Sequence, residues 1–157
     1  MSDLIQSSDF TKGLLSVLIE AFESVQGHFL DPKTSLFDTL SGITASEASI
    51  PVGNKCATIA AQVAHVNFYL EVLEHYLKTG ENERVDWGEI WRTVQAVTPE
   101  EWTASQERLK QTYQRIKHQV ETYENWDSED SISGAIALVA HTAYHLGEIR
   151  QATCTIK

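Results

Sequence analysis

His141 and His145 stand one helical turn apart in Ala140-His141-Thr142-Ala143-Tyr144-His145-Leu146-Gly147-Glu148, within a long apolar run. Residues i and i+4 of an α-helix share a face with Cβ atoms about 5–6 Å apart, so both imidazoles can converge on one transition-metal ion. A third imidazole, His65, stands in another apolar helical run, Ala61-Gln62-Val63-Ala64-His65-Val66-Asn67-Phe68, and is the donor expected to complete the set. Three protein ligands leave at least one coordination position open for a water or a thiol, whereas structural zinc sites usually close with four. Imidazole nitrogens suit Zn²⁺, Ni²⁺, Cu²⁺ and Fe²⁺ alike, with zinc favoured by availability and nickel by capture during purification. Glu148, three residues beyond His145 on the same face, can orient that ring, ligate, or act as a base. The competing reading is ordinary: paired histidines occur by chance on helices, and buried ones often hydrogen-bond a carbonyl or hydroxyl.

Other chemistry-bearing residues invite blander expectations. Cys56, expected near the start of a helix, would have its thiolate favoured by the helix dipole, although a packed, inert thiol is the expectation preferred. Cys154 falls away from the histidines and is expected to be structural, and the two cysteines are expected to be free thiols. Trp87 and Trp91 have the spacing of one helical face. Core packing is their expected role, with roofing of a pocket as the alternative. His28, His75 and His118 are expected to be solvated or capping.

Four long helices must position these groups. Leu14, Leu15, Leu18, Phe22, Val25 and Phe29 recur at threes and fours and predict a first helix over residues 8–30, ended by Asp31-Pro32. Residues 33–54, with Gly42, Pro51, Gly53 and many Ser and Thr, predict a long irregular crossover holding a short turn of helix. A second helix is expected over 55–78, with Asn54 as its N-cap and Thr79-Gly80 as its end. Residues 81–97 are short, acidic and aromatic. Thr98-Pro99-Glu100-Glu101 then has the form of a capping box with proline at the first helical position, opening a third helix to about residue 125. Residues 127–130 supply caps for a fourth helix from about residue 131. That last helix is apolar on two sides, Gly134, Ala137, Leu138, His141, His145 and Ala152 on one and Ile132, Ile136, Val139, Ala143 and Leu146 on the other. It is therefore expected to be buried twice, against the interior and against a neighbouring helix or a second subunit, which makes a homodimer an expectation. No strand pattern or repeat competes, so the expected architecture is all-α: a four-helix bundle with a long crossover between the first and second helices.

Composition narrows the partners. The 157 residues suit one domain over 1–157, and 42% hydrophobic residues with three prolines and eight glycines are globular in character. A net charge of −10, with basic residues scattered among acidic ones, repels phosphate backbones and anionic lipid, so neither nucleic acid nor a membrane is expected as partner. Small-molecule chemistry fits better. Met1-Ser2-Asp3-Leu4-Ile5-Gln6 lacks a basic segment followed by an apolar one, and a cytoplasmic location is the expectation.

The run Ala57-Thr58-Ile59-Ala60-Ala61-Gln62-Val63-Ala64-His65, followed much later by His141-x3-His145-x-Gly147-Glu148-Ile149, resembles the DinB-like metal-binding superfamily across nearly the whole chain. Asp86-Trp87 is similar to that family as well. The resemblance implies a four-helix bundle with a three-histidine metal site, one ligand from the second helix and two from the last, here His65, His141 and His145. Glu148 departs from the pattern, because many relatives carry glutamine there. Characterised relatives use bacillithiol, mycothiol or glutathione in conjugation or isomerisation. The resemblance therefore implies a metal-dependent S-transferase acting on a small-molecule substrate, with zinc or nickel and a low-molecular-weight thiol as cofactors. The alternatives are a metal-dependent hydrolase, in which the open position holds hydroxide, and a non-catalytic metal-binding stress-response protein.

Overall fold

Hydroxyl caps set most of the helix starts. In the computed structural model, which describes residues 5–81 and 84–156, the chain forms α1 (Ser7–Phe22), α2 (Leu36–Ser41), α3 (Ala45–Ala48), α4 (Ile59–Thr79), α5 (Glu89–Thr93), α6 (Pro99–Thr122) and α7 (Glu129–Ile156), with a 3₁₀ turn at Val52–Asn54. Residues 1–4, read for the absence of a leader, lie outside the described residues. The expectation of an all-helical chain holds: among the described residues there is no strand, and no helix is long and apolar enough to cross a membrane.

The Thr98–Glu101 capping box forms as expected. Glu101 N–H donates to the Thr98 hydroxyl at 3.2 Å, and the Glu101 carboxylate accepts from Thr98 N–H at 2.8 Å. At α7 the cap is Ser128, whose hydroxyl accepts from Ser131 N–H at 3.1 Å. The start of α4 differs from expectation. Gly53 and Asn54, within the 3₁₀ turn, both take positive φ, 59° and 62°, so no α-helix starts from Asn54, and Thr58 instead caps α4 through Ala61 N–H.

The first helix is shorter than expected. It stops at Phe22 because the fully buried carboxylate of Glu20 collects the backbone N–H groups of Gln26, His28, Phe29 and Leu30 at 2.6–2.9 Å and folds the chain back over the helix end. Gly27, at φ 91°, makes that reversal possible, and Phe29 is left exposed instead of joining the stripe.

The four long helices pack cyclically, α4 against α6 and α7 and α1 against the same two, and enclose one apolar cluster containing Leu18, Phe22, Val66, Leu70, Leu109, Tyr113, Ile116, Leu138 and Ile149. Phe22 and Tyr113 stack at 4.3 Å between ring centroids, and the Tyr113 hydroxyl donates to Glu23 at 2.6 Å. Arg108 forks onto Glu71, and Arg115 onto Glu74, which fixes the register of α4 on α6. The crossover is anchored where Trp102 donates its indole N–H to the Ile43 carbonyl at 2.8 Å and where Val97 N–H donates to the Ser49 hydroxyl. The two expected apolar faces of α7 are only partly used within the chain: Leu138 and Leu146 are buried, whereas Ala137 and Ile136 are exposed, as is Tyr144 outside both faces.

Candidate metal centre

Because α4 packs on α7, the apolar stripes that carry His65, His141 and His145 meet. The three rings lie 4.4–5.1 Å apart between centroids. Their donor nitrogens fall within 4.8 Å of one another, close enough to hold one metal ion. Nε2 of His65 lies 3.1 Å from Nε2 of His141. Two nitrogens each bonded at about 2.1 Å to one cation stand roughly 3.0–3.4 Å apart, so this pair has the spacing of co-ligands.

Electrostatics favour the ligating form. Burial, followed by the neighbouring imidazoles, pushes His141 down to about 3. Burial and His145 also lower His65, and burial lowers His145 against the opposing pull of Glu148. All three rings are therefore neutral near pH 7, with lone pairs available to a cation.

The orientation of His145 comes from a residue that sequence reasoning passed over. Its Nδ1–H faces the Gln62 side-chain oxygen at 2.6 Å and the Glu148 carboxylate at 3.0 Å, two acceptors that keep the proton on Nδ1 and leave Nε2 free. The available signal was position: Gln62 lies one turn before His65, on the same side of α4. Of the roles open to Glu148, the structure shows the contact with His145; its carboxylate lies outside the three-histidine cluster and also accepts from the Tyr144 hydroxyl, which pushes that phenol's pKa up.

The other two rings are held by aromatic faces. Tyr69 stacks on His141 at 3.7 Å with planes 13° apart, and Trp91 lies over His65 at 4.5 Å. Trp87 packs on Phe68 and Tyr69 and remains 42% exposed. The expectation that both tryptophans are core residues is corrected: α5 lies across α4 as a cover and sets the Trp91 indole over His65, while Trp87, in the turn ahead of α5, packs on the outer side of α4 and stays partly exposed.

Behind Trp91 opens a cleft of about 450 Å³ whose lining includes Lys55, Cys56, Thr58 and Gln95. Cys56 is a free, exposed thiol in the loop ahead of α4, so the expected inert packing does not apply to it. Cys154 is also free and exposed, which overturns its expected structural role, because α7 turns that position toward solvent. His28 is exposed and bonded to Ser16, and His118 is exposed beside Glu121, as expected of peripheral histidines. No fourth His, Cys, Asp or Glu joins the cluster among the described residues. No protein-family model, curated protein or solved structure matches this chain.

Proposed function

We propose that this chain is a DinB-like four-helix bundle acting as a metal-dependent S-transferase, which activates a low-molecular-weight thiol of the bacillithiol, mycothiol or glutathione type for transfer to a small electrophile. The observation that carries the reading is the set of three neutral imidazoles, His65, His141 and His145, with one ring fixed in its tautomer by Gln62 and Glu148 and no fourth protein ligand among the described residues. When bound there, zinc or nickel would stabilise thiolate over thiol at the position the protein leaves open. His65 and His141 present their Nε2 atoms with their ring planes held by Trp91 and Tyr69. Glu148 holds His145, and its partly exposed carboxylate is the acceptor we assign to the thiol proton. In the transfer the S–H bond breaks, its proton goes to that carboxylate, sulfur forms the new C–S bond with its electron pair, and the leaving group departs with its own.

Trp91 shields this chemistry from water, and the cleft behind it offers room for the remainder of the substrate. A homodimer assembled on the exposed Ile136 and Tyr144 of α7 belongs to the same reading. The test is metal analysis of protein made without an affinity tag, followed by consumption of bacillithiol or glutathione with monochlorobimane. Thiol-dependent turnover that disappears in His141→Ala supports the proposal. Thiol-free ester or amide turnover would replace it with a hydrolase, and metal binding without any turnover would replace it with a non-catalytic metal protein.

A further inference from the structure

Four clefts of this fold carry a carboxylate in their walls: Asp130 in one, Glu107 in another, Glu81 in a third, and both Glu71 and Glu101 in the fourth. The cleft of about 450 Å³ behind Trp91 has none among the described residues, and the Lys55 ammonium is the charge in its wall. In a chain with 22 acidic residues against 12 basic ones, that wall is the exception. Its polar side chains are also presented to solvent. Asn54, Lys55 and Gln95 are exposed, and none of the three has a side-chain hydrogen bond or ion pair among the described residues.

The cleft adjoins the imidazoles. Ala61 in its wall precedes His65 by one turn of α4, about 6 Å along the helix axis. Trp91 belongs to both places, since its indole lines the cleft and lies 4.5 Å from the His65 ring. A thiol whose sulfur occupies the position left open by the three histidines can therefore extend past Trp91 into this space. The net charge of −10 repels an anionic body from the surface as a whole. Here such a body meets the Lys55 ammonium and the amide N–H donors of Asn54 and Gln95 with no carboxylate opposing it.

We propose that this cleft selects, among low-molecular-weight thiols, those that carry a carboxylate several bonds from sulfur, with Lys55 as the specificity-determining cation and Asn54 and Gln95 as donors beside it. The assignment rests on the S-transferase reading for the place of the sulfur, and it adds the substrate class. Glutathione and bacillithiol, which bear carboxylates, are favoured over mycothiol, which bears none.

Calorimetric titration of the zinc-loaded chain with glutathione and with its diethyl ester, in which both carboxyls are masked, tests this as binding, apart from turnover. A phosphine reductant keeps the exposed thiols of Cys56 and Cys154 from forming mixed disulfides. Glutathione is expected to bind about three- to fivefold more tightly than the ester, and high salt should shrink that preference. Lys55→Glu should abolish it and Lys55→Arg should retain it. Lys55 is exposed in the loop ahead of α4 and outside the apolar cluster, so neither variant disturbs the fold. Equal affinities for acid and ester in the wild type, or a preference that survives Lys55→Glu, overturn the proposal. Failure of the S-transferase reading looks different: Lys55-dependent binding of glutathione without thiol transfer removes the transferase and leaves the cleft, whereas thiol transfer without the preference removes the cleft assignment and leaves the transferase. If the chain takes up no zinc, S-methylglutathione and its diethyl ester carry the same comparison on the metal-free chain.

Discussion

The side-chain oxygen of Gln62 on α4 lies 2.6 Å from Nδ1 of His145 on α7, so one helix sets the tautomer of a histidine carried by the other. Glu148 reaches the same nitrogen from one turn further along α7, at 3.0 Å. Removing partners of this kind ordinarily lowers metal affinity by about 10–100-fold. Gln62→Leu is expected to weaken zinc binding within that range, with Glu148→Gln milder because a glutamine oxygen still accepts. Competition against a chromophoric chelator measures both, and equal affinities in wild type and Gln62→Leu would remove the positioning role.

His65→Ala, His141→Ala and His145→Ala should each abolish tight binding of one zinc or nickel ion while far-UV circular dichroism stays unchanged, because the apolar cluster does not depend on the rings. In wild type, added metal at about 100 times its dissociation constant should stabilise the fold by about 2.7 kcal/mol, read as a rise in the urea midpoint. The three variants should show no such rise.

Metal affinity should change little as pH falls toward the ordinary histidine value of 6.5, since burial already keeps the rings deprotonated in the fold. Isothermal titration at pH 7.5 and 6.5 checks this through the number of protons released. Release near zero at both values is expected, and release of one proton or more per ion at pH 7.5 would contradict neutral imidazoles.

Glu20 gives the fold an acid-sensitive limb. Burial opposes its ionisation, but four backbone N–H groups outweigh that and bring the carboxyl from 4.5 to about 2. A depressed folded-state value means that the unfolded chain binds the proton first, so the stabilisation is present above about 4.5 and is lost as pH falls from there toward 2. Glu20→Gln should lower the urea midpoint at pH 7 and flatten its decline over that window. The loop over residues 24–30 should also become sensitive to limited proteolysis.

Tyr113→Phe removes the hydroxyl that donates to Glu23 at 2.6 Å while keeping the stack on Phe22. A hydrogen bond to a charged group contributes about 1.5–3 kcal/mol, and Glu23 keeps its contact with Lys117, so a loss of about 1–2 kcal/mol in chemical denaturation is expected. Leu138→Ala, at a fully packed position, should cost about 2–5 kcal/mol in the same assay.

Much of the fold was legible because amphipathic helices advertise themselves locally. The stripes of α4, α6 and α7, the Thr98–Glu101 capping box and the Gly80 stop all depend on residues within a few positions of one another. The short α1 was not legible: its end is decided by Glu20, which bonds backbone groups six to ten residues ahead, a pattern without periodicity. The true start of α4 was missed because two residues with positive φ, Gly53 and Asn54, lie just before it. Trp87 and Trp91 have helical spacing without sharing a helix: α5 contains only Trp91, so their spacing does not report a common core-facing side.

At the centre itself the same division applies. The residue types and the i,i+4 spacing put two imidazoles on one helix face and named His65 as the third, because helix geometry alone governs neighbours one turn apart. The docking of α4 on α7 was decided elsewhere, by side chains interlocking across segments far apart in the chain. That packing brings Nε2 of His65 to His141 across 76 positions and Gln62 to His145 across 83, and it selects the tautomer and lowers the pKa values of the rings. Periodicity reports which face of a helix is apolar. Which helix covers it, and at what register, follows from the packing of the whole core.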